Sequence, residues 1–351
     1  MIYDAAVIGA GPAGATFARI AAKNGMKLLL IDGSGEYGKP CGGLLAPDAQ
    51  KMLACFDISL PHDILTSPQI FSVKTIDLGT RSVRYYRRMY LSMDRKRFDG
   101  FLVSIIPESV DILKGRCSAV SRTRRGFVVT VRQNGKDMHF RCRNIIGADG
   151  ASSFVRHRFF PDRKIMKYTA IQQWFRSDSR TDPFYSCIFD PETSESCSWT
   201  INKDEYFIYG GCFTPEHCRI MFEKQKKRFS EFSGIEMNDP VRTEACLACR
   251  PEKYSDFVTG RRGVYLIGEA AGFISPSSFE GISGAMMSAK ALAEAFENNR
   301  GSAVAAAYSK AVFPLKTKYM VKTAKRLFMY VPVLRHTVMA SGITAIKTEK
   351  K

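Results

Sequence analysis

The chain has 351 residues, 45% of them apolar and 25% charged, which excludes a disordered or fibrous protein and leaves room for one large or two ordinary domains. Its 52 Lys and Arg against 34 Asp and Glu give a net charge of +18, so anionic partners are favoured. The ten cysteines form no disulfide framework, which points to reduced thiols in a cytoplasmic setting; Asp4 breaks the first apolar run, against a signal peptide, and Pro332, Arg335 and His336 interrupt the longest apolar stretch, against a membrane span.

Residues 3–8 read as a buried strand. Gly9-Ala10-Gly11-Pro12-Ala13-Gly14 follows, then an Ala-rich helix to Lys23 and a second apolar run, Met26 to Ile31, ending in Asp32. Strand, glycine turn, helix, strand and acid is the dinucleotide-binding order. Gly9 permits the tight turn, Gly11 lets backbone approach a pyrophosphate at the helix N-terminus, and Gly14 lets helix and strand pack closely. Asp32 is placed to accept ribose hydroxyls, which favours FAD or NAD over NADP.

Lys39-Pro40-Cys41-Gly42-Gly43-Leu44-Leu45 comes next, where a nicotinamide dehydrogenase would continue into a helix. Phe71 to Ile76 and Arg81 to Met93 alternate as strands do. Arg81, Arg84, Arg87 and Arg88 interleave there with Tyr85, Tyr86 and Tyr90; without a nucleic-acid motif this reads as a solvated strand face. Asp94 to Asp99 is a basic run, and Cys117 lies on a strand after Lys114-Gly115. Ile145 to Gly147 form a strand running into Ala148-Asp149-Gly150, where Asp149 is also suited to cap the following helix.

Thr169 to Phe175, Tyr185 to Phe189, Ser198 to Ile201 and Tyr206 to Cys212 alternate again, and the aromatics among them suit either sheet packing or the wall of an apolar tunnel. Glu216 to Phe232 reads as an exposed helix of mixed charge. Cys246-Leu247-Ala248-Cys249 is a lone CxxC, by default a pair of buried strand cysteines, with a redox dithiol or a metal site as alternatives. Val264 to Ile267 lead into Gly268-Glu269, and Gly281-Ile282 open a helix of small residues. From Lys310 onward there are ten Lys and Arg and one acid. Met320, Ala324, Leu327, Phe328 and Val331 recur at helical spacing, so this segment reads either as an interfacial amphipathic helix or as a helix packed on the protein.

The glycine turn, the Asp149-Gly150 element and the Gly268-Glu269 element together resemble the signature set of the para-hydroxybenzoate-hydroxylase-type (GR2) flavoproteins. The PxCGG element at Pro40 to Gly43 narrows the resemblance to the geranylgeranyl reductase family of FAD-dependent oxidoreductases. Longer phrases such as KPCGGLLAPDAQ, IQQWF and LIGEAAGFISPSSFEGIS resemble the bacterial CbrA flavoprotein group within it. The resemblance implies an α/β fold: a Rossmann-like FAD-binding domain (1–67, 93–164 and 251–310), an inserted antiparallel β-sheet substrate domain (68–92 and 165–250) and a basic helical C-terminal segment (311–351).

It also implies non-covalent FAD held by Gly9, Gly11, Pro12, Ala13, Gly14, Asp32, Cys41, Gly42, Gly43, Arg95, Cys117, Asp149, Gly150, Gly268, Glu269, Gly281 and Ile282. Cys41 is the candidate catalytic residue, against the plain alternative of a packed small side chain. Glu269 departs from the family's usual Asp by one methylene. The activity implied is reduction of C=C bonds in a polyprenyl or other isoprenoid lipid by hydride from reduced flavin. NAD(P)H or an acidic ferredoxin or flavodoxin would supply the electrons. A monooxygenase on the same fold and a non-catalytic, membrane-associated redox sensor using the CxxC pair are the rivals. The expected location is cytoplasmic and peripheral on the inner membrane face; metal and nucleic acid are not expected.

Overall fold

A computed structural model describes residues 1–33, 38–177 and 184–346. The chain divides into two compact units, residues 1–39, 96–166 and 249–321 in the first and residues 40–95, 167–248 and 322–351 in the second. The fold is α/β, with one largely parallel and one largely antiparallel sheet.

In the first unit, Val264–Leu266, Lys136–Gly147, Ile2–Ile8, Leu28–Asp32 and Asp111–Lys114 lie side by side, all parallel. Such a sheet is covered on both faces, which is why Leu28–Asp32 is buried at every position rather than alternating. The hairpin Arg116–Thr123 and Gly126–Gln133 extends it by antiparallel pairing with Lys136–Gly147. Helices Pro12–Lys23 and Ile282–Asn298 pack together, with Phe17 meeting Phe296 edge-on at 6.1 Å.

The second unit is built on a sheet in which Met166–Arg176, Tyr206–Phe213, Ser198–Lys203 and Tyr185–Phe189 follow one another antiparallel. Tyr185–Phe189 then pairs in parallel with Ile70–Asp77, so the expected antiparallel sheet contains a parallel join. The helix Cys218–Ser233 is not simply exposed. Phe222, Gln225 and Phe229 face inward, and Tyr209 meets Phe222 and Phe229 at 5.5 Å each. Phe175, Phe207, Tyr209 and Phe213 belong to this core, so these aromatics are packing rather than tunnel wall.

The unit boundaries differ from the expected domain limits at two places. Residues 40–67 join the second unit, because Leu44–Leu45 pairs with Ser82–Ser92 and the Asp94 N–H donates to the Ile64 carbonyl. Residues 311–351 are not a separate segment. Val312, Leu315 and Tyr319 are buried in the first unit, Tyr319 stacking on Phe257, while Ala345–Ile346 adds an edge strand to Ser82–Ser92 in the second. Among the described residues no helix is long and apolar enough to cross a membrane.

Candidate functional site

The glycine turn has the geometry its sequence demands. Gly9 stands at φ +106°, and a Cβ there would lie 2.5 Å from the Ala148 carbonyl oxygen. A Cβ on Gly14 would lie 1.8 Å from the Gly9 oxygen, so strand, turn and helix pack at a distance only glycine allows. Gly11 differs. Its backbone is extended, it caps the helix that starts at Pro12 without a side-chain hydrogen bond, and a Cβ there would meet nothing within 4 Å. An uncapped helix start with open space at its capping residue fits a pyrophosphate.

Gly268 packs against this turn, since its Cβ would lie 2.8 Å from the Ala13 Cβ. Gly281 caps the helix Ile282–Asn298, again with no side-chain hydrogen bond. The Asp149 carboxylate accepts hydrogen bonds from Ser153 Oγ and the Val155 N–H, but the cap of the helix Phe154–Phe159 is Ser153, whose side chain accepts the Arg156 N–H, and not Asp149. Burial pushes the Asp149 pKa up, and the hydrogen bonds it accepts work against that shift. Gly150 is left-handed at φ +72° with open space around it. Asp32 is buried at the end of its strand and paired with the Lys114 ammonium. Cys117 is buried, its thiol pushed up to about 12 first by desolvation and then by Asp149, which makes it inert.

Glu269 shows where its extra methylene leads. One oxygen is 2.6 Å from Lys39 Nζ and the other accepts the Cys249 N–H at 2.9 Å. Arg156, buried, ties the same region together by donating to the carbonyls of Arg163, Asp256 and Ala270.

In the second unit the Pro40 to Leu45 loop sits on the strand Ser198–Lys203. A Cβ on Gly42 would lie 2.4 Å from Ile201 Cδ1, and one on Gly43 would lie 2.0 Å from Lys203 Nζ. Gly43 is required as glycine, since its φ is +69° and a Cβ would also lie 2.2 Å from the Met93 carbonyl oxygen, whereas Gly42 meets only the movable end of Ile201. Lys203, missed in the sequence, is buried, and its ammonium donates to the Gly42 and Met93 carbonyls at 2.8 Å each. Three donors or cations surround the Cys41 sulfur: the Gly43 N–H at 3.4 Å, the Arg95 side chain and the Lys203 charge. Burial alone would raise the thiol, but these groups outweigh it and hold the pKa below the ordinary thiol value. Burial lowers the Lys203 pKa, with the negative charges of Cys41, Asp94, Asp204 and Glu244 opposing. Arg95 begins the helix Arg95–Ser104, and its side chain is directed to Cys41.

Replacing Lys203 by Met should raise the pH midpoint of Cys41 alkylation. Iodoacetamide labelling followed by peptide mass spectrometry reads this directly. An unchanged midpoint would show that Lys203 does not set the thiol.

The CxxC pair offers neither a dithiol nor a metal site. Cys246 and Cys249 are three apart on the strand Arg242–Arg250, so their side chains leave opposite faces. Cys246 Sγ lies 3.7 Å from the Pro40 carbonyl, and Cys249 Sγ the same distance from that of Ala151. No metal-ligating cluster occurs among the described residues.

A parallel sheet with a glycine turn at its first strand, joined to a second, mixed sheet, is the fold of FAD-dependent oxidoreductases and monooxygenases. Solved structures share it across nearly the whole chain. A geranylgeranyl bacteriochlorophyll reductase-like protein from Thermoplasma acidophilum superposes with a TM-score of 0.81 at 20% identity, over 97% of this chain and 90% of that one. The p-nitrophenol 4-monooxygenase PnpA from Pseudomonas putida gives 0.74 at 15% identity, over 97% and 93%. The chain belongs to the lycopene cyclase protein family, whose model matches residues 4–328, and to the CbrA group. Protein CbrA of Escherichia coli O9:H4 is 41% identical over 350 residues, 98% of this chain and 94% of that protein.

Proposed function

We propose that this protein is an FAD-dependent reductase that saturates C=C bonds of a polyprenyl or similar isoprenoid lipid. The observation that carries this reading is the seating of the Pro40 to Leu45 loop, which places Cys41 among Gly43, Arg95 and Lys203 beside the Ile201 and Trp199 face of the sheet. The reductase-like name of the Thermoplasma acidophilum neighbour supports it. Bound FAD would supply a hydride to one carbon of the double bond, while a proton is added to the other. The chain's own part is to hold the cofactor at Gly11 and Gly281, with Asp32 toward the ribose, and to present an apolar surface that excludes water. Arg95 and Lys203 keep positive charge at Cys41 Sγ and so set the protonation of the one thiol in this loop. NAD(P)H or an acidic ferredoxin or flavodoxin would deliver electrons, the latter steered by the +18 charge.

The test is anaerobic. Holoprotein reduced with dithionite is mixed with a geranylgeranyl lipid, and the product is weighed. A gain of two hydrogens per bond, with return of the oxidised flavin spectrum and acid release of the flavin, is the expected result. A product formed only after oxygen is admitted, and heavier by one oxygen atom, would replace this reading with a monooxygenase. Flavin that stays on the protein through acid precipitation would overturn the non-covalent assignment.

A further inference from the structure

The C-terminal helices use one side for packing and leave an apolar side open. On the helix Phe313–Tyr330 the buried residues are Leu315 and Tyr319. The stripe prominent in the sequence points elsewhere: Ala324 is exposed and Phe328 is 54% exposed. The next helix, Pro332–Ser341, turns Arg335 and Met339 inward and leaves Val333 74% and Leu334 38% exposed. Val331, between the helices, is also 38% exposed. Four apolar side chains within seven residues are thus presented to solvent at the junction of two helices whose inner contacts are already satisfied.

Charge decides what covers this patch. The chain from Lys310 on has ten basic residues and one acid. A second copy would bring another +18 against the first, which opposes self-docking. Exposed apolar side chains in so basic a segment match an anionic lipid surface, in which they bury in the acyl boundary while the net positive charge is drawn to the headgroup phosphates.

We infer that the helix junction around Phe328, Val331, Val333 and Leu334 docks on an anionic lipid bilayer. This stands on exposure and charge and does not depend on the reaction proposed above. Removing the segment would not test it, because Tyr319, Arg335 and Met339 belong to the protein's packing. The test uses the full-length holoprotein and the double variant Val333→Ser, Leu334→Ser, whose side chains are exposed, with flavin absorbance and circular dichroism as folding controls. Both are co-sedimented with phosphatidylcholine vesicles, with and without phosphatidylglycerol, at low and high salt. The wild type should bind the phosphatidylglycerol vesicles at low salt, release them as salt rises, and bind about tenfold more tightly than the variant. Equal binding by wild type and variant, or no binding at low salt, would overturn the inference. Concentration-dependent dimerisation abolished by the same substitutions, without vesicle binding, would assign the patch to a second copy instead. Capture of a soluble acidic protein with no vesicle binding would also overturn it.

Discussion

Gly11→Val should abolish FAD binding and leave the protein folded. The position tolerates a side chain in the free protein, since its φ is ordinary and a Cβ would touch nothing within 4 Å. The valine branches would instead occupy the space at the uncapped helix start, where the pyrophosphate needs to approach backbone N–H groups. Losing two charge-assisted hydrogen bonds costs about 3–6 kcal/mol, or at least a hundredfold in affinity. Gly14→Ala is the contrasting control: its Cβ would sit 1.8 Å from the Gly9 oxygen, so it should damage the fold itself. Glu269→Ala should weaken FAD binding less, by about 1–3 kcal/mol, because its carboxylate is engaged by Lys39 and the Cys249 N–H. Titration of apoprotein with FAD, followed by quenching of flavin fluorescence, separates the three. A Gly11→Val protein that binds FAD as the wild type does would place the cofactor elsewhere.

What was legible in the sequence is what is local. The glycine turn and the acid at position 32 need only neighbours within one βα unit, and both stand where that unit puts them, whereas the helix cap that Asp149 suggests is made by Ser153. Lys203 was invisible because its acceptors, Gly42 and Met93, lie 161 and 110 residues away. The same distance hid part of the reason for Gly43, whose Cβ would meet the Met93 carbonyl and Lys203 in addition to its own left-handed φ of +69°. The CxxC pair is on a strand, as its default reading has it, and strand alternation explains why: three residues apart on a strand means opposite faces. In the C-terminal segment the helical period was correct, but period alone cannot say which face packs. Leu315 and Tyr319 take the core, and Ala324, Phe328 and Val331 of the more conspicuous stripe are left outside.

Arg335→Met should be the most destabilising single change in the C-terminal segment. Arg335 is 2% exposed; its Nε donates to Asp77 Oδ2 at 2.7 Å, and its Nη1 donates to the Met329 carbonyl at 2.8 Å. The guanidinium also lies 5.2 Å over the Phe189 ring. Asp77 is fully buried, and among the described residues its further donors are the Gly79 and Thr80 N–H groups. Without Arg335 its charge stays buried and under-compensated, at a cost of about 3–5 kcal/mol. Changing Asp77 to Leu as well should recover part of that loss, since the buried charge then goes too. The dependence on pH identifies the cause. Burial resists ionisation of Asp77, but Arg335 and the two N–H groups prevail and hold the carboxyl below the usual carboxylate range. In the wild type this stability is complete above the unfolded value of about 4 and is lost as pH falls through the lower folded value. In Arg335→Met the desolvation remains and the main compensation is gone, so the folded pKa rises above the unfolded one, and the variant loses stability as pH rises through that window. The gap in melting temperature between the two proteins should therefore be widest at neutral pH, narrow as pH falls toward ~4, and close only below the folded value of the wild-type carboxyl. Thermal melts of both proteins across this range read it directly. A gap that is constant with pH would assign the loss to the missing Phe189 and Met329 contacts rather than to the stranded Asp77 charge.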